Sequence, residues 1–233
     1  MARPVDLRLI VITDRDIAAP RDTYDIVAAC LAAGTPAIQL RDKHATTREL
    51  YEQAVVLRAL TRRYGALLFV NDRLDVALAA DADGVHLGPH DLPIADARRV
   101  VPAGFLIGAS ADEPDVARRL QGDGADYIGC GTVFPTTTKT DAGSDIGPEG
   151  LDRVARAVHV PVVGIGGITV ERAPALARTA AAGIAVVGAV MEAEDPATVV
   201  RCLLEYFEEG ESRRVRRGGS GEGSEWRRVS RGE

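Results

Sequence analysis

"TRELYEQAVVLRALTRRYGALLFVND", residues 47–72, contains two different periods back to back. In its first part Leu50, Ala54, Leu57 and Leu60 recur at three- and four-residue spacing, which predicts an amphipathic helix with one apolar stripe. Gly65 then stands where such a helix should stop. The next residues, "ALLFVND" (66–72), form a short continuous apolar run that ends abruptly in two polar residues. A strand buried on both faces reads this way, as parallel strands flanked by helices do. The stretch is therefore one helix and then one parallel strand, and the question is how often the unit repeats.

It repeats along the chain. Strand-like runs are expected at 7–14 (LRLIVITD), 36–42 (PAIQLRD), 66–72, 84–88 (GVHLG), 105–110 (FLIGAS), 125–132 (ADYIGCGT), 161–167 (PVVGIGG) and 183–190 (GIAVVGAV). Amphipathic stretches lie between them. "DEPDVARRL" and "GPEGLDRVARAV" carry acids or proline in a first helical turn, and Gly34 and Gly183 fall, like Gly65, where helices should end. Eight such units within about 200 residues point to a (β/α)8 TIM barrel. An open doubly wound sheet is the alternative, but no G-x-G-x-x-G opening comes after the first strand. The expected organisation is a single barrel domain over residues 1–209. The segment 210–233 is expected to be a disordered tail rich in Arg, Gly, Ser and Glu.

Composition narrows the function classes. The 233-residue chain has net charge −6 and a pI near 5.3, which argues against a dedicated nucleic-acid binder. Seven Arg against four Glu leave the tail three positive, so residues 1–209 carry −9. Cys30, Cys130 and Cys202 are far apart and odd in number, giving neither a metal pattern nor a disulfide framework, so a cytoplasmic, reducing compartment is expected. The N-terminal apolar run is too short for a signal peptide, and no run is long enough to span a membrane. Oligomeric state is not legible.

Polar residues gather at the strand exits: Gln39, Arg41 and Lys43; Asn71 and Asp72; Ser110; Thr136, Thr138 and Lys139; Gly166 and Gly167. In a barrel all these exits share one face, where active sites of the fold lie. Asp72 and Asp91 come after adjacent strands and suit a hard cation such as Mg2+, which takes one or two carboxylates plus waters and phosphate oxygens. Read singly, each is better explained as a helix cap, and it is as an adjacent pair beside two lysines that they point to a metal. Gln39, Arg41 and Lys43 alternate with Leu40 and Asp42 and so share one side of an extended segment. Of the 28 Lys plus Arg only Lys43 and Lys139 are lysines, which singles them out as anion contacts. "GIGGI" (164–168) and "VVGA" (186–189) offer backbone N–H groups after strands seven and eight, where barrels of this kind commonly hold phosphate. His86 reads as a hydrogen-bonded core or site-wall residue, and no nucleophile–base pair is legible.

Taken together, "QLRDK", "VNDRLDVALAADADGVHLGPHDLP", "IGAS", "GTVFPTTTKTD", "VVGIGGIT" and "AVVGA" resemble the thiamine phosphate synthase family, in order and spacing, from about Leu7 to Phe207. The resemblance implies a Mg2+-dependent transferase. It would join 4-amino-2-methyl-5-pyrimidinylmethyl diphosphate to a thiazole phosphate, giving thiamine phosphate and pyrophosphate through loss of the leaving group first. It maps pyrimidine diphosphate contacts onto Gln39, Leu40, Arg41, Asp42, Lys43, Asn71, Ser110 and Lys139, with Arg41, Lys43 and Lys139 as catalytic cations. It maps the metal onto Asp72 and Asp91, and the thiazole phosphate onto Thr136, Thr137, Thr138, Gly167, Val187 and Gly188. The sequence departs from the family at Gly188, where serine is more usual, and at "GPHD", where "GQ-x-D" is commoner. The alternatives are a thiazole tautomerase-like isomerase, which should lack the two aspartates and the "PTTTK" loop, and a non-catalytic barrel that binds a phosphorylated ligand.

Overall fold

A computed structural model describes residues 5–136 and 145–217, with side chains as far as residue 207. The expected alternation is present. β1 (Leu9–Ile12), α1 (Arg15–Ala18), α2 (Thr23–Ala32), β2 (Ala37–Leu40), α3 (Thr47–Tyr64), β3 (Leu67–Asn71), α4 (Leu74–Ala79), β4 (Gly84–Leu87) and α5 (Ile94–Val100) make the first half. The second half is β5 (Leu106–Ser110), α6 (Pro114–Gly122), β6 (Tyr127–Cys130), α7 (Gly147–Ala157), β7 (Val162–Ile165), α8 (Ala173–Leu176), β8 (Gly183–Val186), α9 (Gly188–Met191) and α10 (Pro196–Arg217). All eight strands are parallel and in sequence order, and β1 pairs with β8 (Leu9 opposite Ile184), so the sheet closes into a barrel.

The helix read from residues 47–72 illustrates why the elements fall where they do. Thr46 accepts a hydrogen bond from the Glu49 amide while the Glu49 carboxylate accepts one from the Thr46 amide, a reciprocal cap that starts α3. Leu50, Ala54 and Leu57 pack against the sheet, and Gly65 ends the helix in a left-handed conformation (φ 72°). Strand residues then alternate. Leu9, Val11, Ile38, Leu68 and Ile107 face the helical ring, while Ile10, Ile12, Phe69, Leu106, Tyr127 and Val163 fill the inside.

Three sequence readings are corrected. The run "GIAVVGAV" does not stay extended to Val190: β8 ends at Val186 and α9 begins at Gly188. Gly183 is not a helix end but the first residue of β8. A Cβ there would stand 1.9 Å from the Leu7 carbonyl oxygen, so close backbone approach requires glycine. Helix α10 runs past residue 209 to Arg217, so residues 210–217 continue the helix instead of opening the tail. Four of those eight residues are Arg, a strong helix former. The remainder, 218–233, lies outside the described residues. Among the described residues no helix is long and apolar enough to cross a membrane.

Candidate active site

The strand exits open into one cavity of about 740 Å³, within the size range of small-molecule sites. Gln39, Arg41, Lys43, Asn71, Asp72, Asp91, Ser110, Thr136, Gly167, Val187 and Gly188 all line it. Leu40 and Asp42 do not. They point the other way, as strand alternation requires, and Asp42 is held by Gln53 Nε2 (3.0 Å), the amides of His44 and Ala45 (3.0 and 3.1 Å) and Arg15 (3.4 Å). Thr137, Thr138 and Lys139 lie outside the described residues.

Asp72 and Asp91 are not the N-cap residues of the helices after them, which are Arg73 for α4 and Pro93 for α5. Helices α4 and α5 have no side-chain cap hydrogen bond. Asp91 instead accepts from the Gly88 amide (2.7 Å), folding the loop after β4 onto itself. Asp72 has φ 65°, a left-handed conformation uncommon for a non-glycine residue, and donates its amide to the His86 carbonyl (2.8 Å). Such outliers concentrate at functional sites. Two hard oxygen donors on adjacent exits fit a magnesium ion that completes its shell with water and phosphate oxygens. Among the described residues no group of three or more His, Cys, Asp or Glu side chains is placed to hold a metal ion by itself.

Arg41 is fixed from β1. Its Nη1 donates to Asp14 Oδ2 (2.9 Å), its amide donates to Thr13 Oγ1 (2.9 Å), and both charged side chains are mostly buried. Arg15 with Asp42 and His44 with Asp16 (3.4 Å) repeat the pairing, so the β1 and β2 exit loops are bound along their length. Asp14 and Thr13 do not stand out in the sequence, although "ITD" closing the first strand is a polar exit like the others.

Below the mouth a hydrogen-bonded chain crosses the barrel. The Tyr127 hydroxyl lies 3.0 Å from His86 Nδ1, and His86 Nε2 lies 3.0 Å from Ser110 Oγ. Burial pushes the Tyr127 phenol well above its ordinary pKa, so it stays protonated. Either ring nitrogen of His86 can carry the proton, so the imidazole couples the phenol to the serine in both tautomers. Glycines create the space: a Cβ on Gly108 would stand 2.1 Å from the Tyr127 ring, and one on Gly129 would stand 2.8 Å from His86.

On the opposite side the loops after β6, β7 and β8 meet. Gly166 and Gly167 have φ 104° and 61°, and a Cβ on Gly167 would stand 2.5 Å from the Pro135 carbonyl oxygen, so glycine alone is accommodated. Gly188 starts α9 beneath the same mouth. Arg172 also lines the cavity here, a position the arginine-rich sequence does not mark. Neither Cys30 nor Cys130 is poised for attack: burial pushes both thiols up to about 12. A second cavity of about 180 Å³ lies behind Leu40 and Asp42 and is smaller than a site for a drug-sized ligand requires.

A family model described as thiamine monophosphate synthase matches residues 9–190. The thiamine-phosphate synthase of Chloroflexus aurantiacus is 46% identical over 203 residues, covering 87% of this chain and 94% of that protein. That of Pyrococcus furiosus is 48% identical over 203 residues, covering 87% and 96%. Among solved structures, thiamine phosphate pyrophosphorylase from Pyrococcus furiosus superposes with a TM-score of 0.81 at 47% identity, covering 88% of this chain and 96% of that one. A 3-hexulose-6-phosphate synthase, at 19% identity and a TM-score of 0.62, shares the fold alone.

Proposed function

This chain belongs to the thiamine monophosphate synthase family, and on that premise we propose that it condenses 4-amino-2-methyl-5-pyrimidinylmethyl diphosphate with a thiazole phosphate, releasing pyrophosphate. The observation that carries the reading is the single mouth with two anion-seeking sides. Arg41, Lys43 and Ser110 stand with two carboxylates on the β2–β5 side, and glycine amides stand on the β6–β8 side.

In this reading Gln39 and Ser110, the latter held through His86 by Tyr127, contact the pyrimidine diphosphate. Arg41 and Lys43 carry the charge that develops as the C–O bond breaks and its electron pair leaves with pyrophosphate. Lys139 would join them from the loop after β6. Asp72 and Asp91 would hold Mg2+, which when bound neutralises the diphosphate and improves it as a leaving group. The aminopyrimidine ring delocalises the positive charge left on the methylene carbon. The thiazole nitrogen then attacks with its own lone pair, so no general base is required. Thr136, Gly167, Gly188 and the adjoining Val187 amide would seat the thiazole phosphate, with Thr137 and Thr138 nearby in the chain. The cytoplasm as compartment belongs to the same reading.

The test is pyrophosphate release by the purified chain, with thiamine phosphate identified by mass. Release is expected only with both substrates and Mg2+ present. Stoichiometric mixing that yields no thiamine phosphate overturns the assignment.

A further inference from the structure

The β6–β8 side of the mouth contains a cation to which the proposed reaction gives no task. Arg172 lies five residues beyond Gly167 and lines the cavity. Its Nη1 donates to the Gly167 carbonyl (2.7 Å), and its guanidinium sits 5.2 Å from the centre of the Phe134 ring. These two contacts tie together the loop after β6 and the loop after β7. Thr136 belongs to the first and Gly167 to the second.

An exposed arginine normally spends conformational entropy to hold a ligand. Here the carbonyl and the ring have already fixed the fork, while most of its five N–H donors remain available. Arg172 makes no ion pair among the described residues. Glu192 also lines the cavity, and its carboxylate would be 3.3 Å from a Cβ on Gly188. A phosphate seated on bare amides beside that acid requires a cation, and Gly188 itself supplies no side chain.

We propose that Arg172 binds the phosphate group of the second substrate and so sets the preference for a phosphorylated over an unphosphorylated thiazole. The inference rests on the proposed condensation, and the experiment separates the two. Initial rates of the full chain and of Arg172→Gln are measured at saturating pyrimidine diphosphate and Mg2+, varying either thiazole phosphate or the corresponding thiazole alcohol. For the variant KM for thiazole phosphate should rise about tenfold, as expected when one charge-assisted hydrogen bond is lost at a half-open mouth. Values for the alcohol and KM for the pyrimidine diphosphate should not change. Arg172→Lys should recover part of the loss, since it keeps the charge but not the fork. An equal loss with phosphate and alcohol would make Arg172 only a fastener of two loops, and a change confined to the diphosphate would place it in the other subsite; either result overturns the proposal. If the wild-type chain gives no product, the reaction assignment fails. The residue is then judged by calorimetric titration of thiazole phosphate into both proteins, where equal affinity overturns the proposal and about tenfold weaker binding by the variant sustains it.

Discussion

The two ends of the barrel use aspartate in opposite ways. At the floor, where strands begin, Asp83 accepts from Arg58 Nη1 (2.6 Å) and from the Leu68 amide (2.8 Å) of the neighbouring strand. Asp126 repeats the arrangement one pair of strands on, bonded to Arg98 and to the Ile107 amide (2.7 Å). Each floor acid thus joins a helix to two strands and has its charge matched by the protein itself. At the mouth, Asp91 spends one oxygen on the Gly88 amide and makes no ion pair among the described residues, and Asp72 is held in a left-handed backbone conformation. One residue type therefore serves the scaffold at Asp83 and Asp126, where an arginine matches its charge, and lines the ligand cavity at Asp72 and Asp91.

Removing a carboxylate at each end puts this contrast at risk. Asp91→Ala or Asp72→Ala should lower Mg2+-dependent turnover by about 10²-fold or more while the thermal midpoint barely moves. Near-normal rates at limiting Mg2+ would reduce the mouth acids to scaffold. Asp126→Ala should do the reverse, costing about 2 kcal/mol of unfolding free energy in denaturant titration because Arg98 and the Ile107 amide lose their acceptor. Its kcat/KM below the transition should be unchanged, and a catalytic defect without a stability defect would erase the distinction.

The layer between the ends sharpens it. Tyr127→Phe keeps the ring that fills the space over Gly108 but removes the hydroxyl that meets His86 Nδ1. A loss of about tenfold in kcat/KM is expected, chiefly through the diphosphate substrate, measured by varying each substrate in turn. An unchanged rate would show that Ser110 is oriented without the chain.

The smallest effect concerns Asp42, an acid on the mouth side that is treated like a floor acid. Burial alone would raise its pKa, but the Gln53 side chain, the His44 amide and the Arg15 charge outweigh it, and the net shift is downward. A depressed carboxyl stabilises the fold fully above its ordinary value and loses that contribution as pH falls through the lowered one. Asp42→Asn should therefore cost about 1 kcal/mol at neutral pH, with the deficit in thermal midpoint closing in acid below the usual carboxylate range. A deficit independent of pH would assign the effect to shape instead of charge.

The barrel is legible in the sequence because parallel strands covered on both faces are apolar throughout and stop at polar exits. Legibility fails where that signal saturates: in "GIAVVGAV" every residue is apolar or glycine, so nothing marks the passage from β8 into α9 at Gly188. Exit residues such as Gln39, Asn71 and Ser110 are legible by position. Tyr127 is not, since its partner His86 is 41 residues away and an aromatic in a strand reads as core. Thr13 and Asp14 escape notice for a related reason: their work is done on Arg41, 27 residues beyond Asp14, which local spacing does not reveal. Arg172 is hidden by abundance, one of 26 arginines on an exposed loop.

Closure of the sheet by β1 against β8, with α10 packed on α2, also bears on how the protein is made on the ribosome. The first four strands, carrying Arg41, Lys43, Asp72 and Asp91, leave the exit tunnel early. The strand that completes them emerges roughly a hundred residues later, on the order of ten seconds at ordinary rates of synthesis. Throughout that interval the outer edge of β1 has no native partner, and a bare parallel edge is adhesive. Chains truncated before Gly183 should therefore need a chaperone to remain in solution, a demand that ends when β8 is delivered.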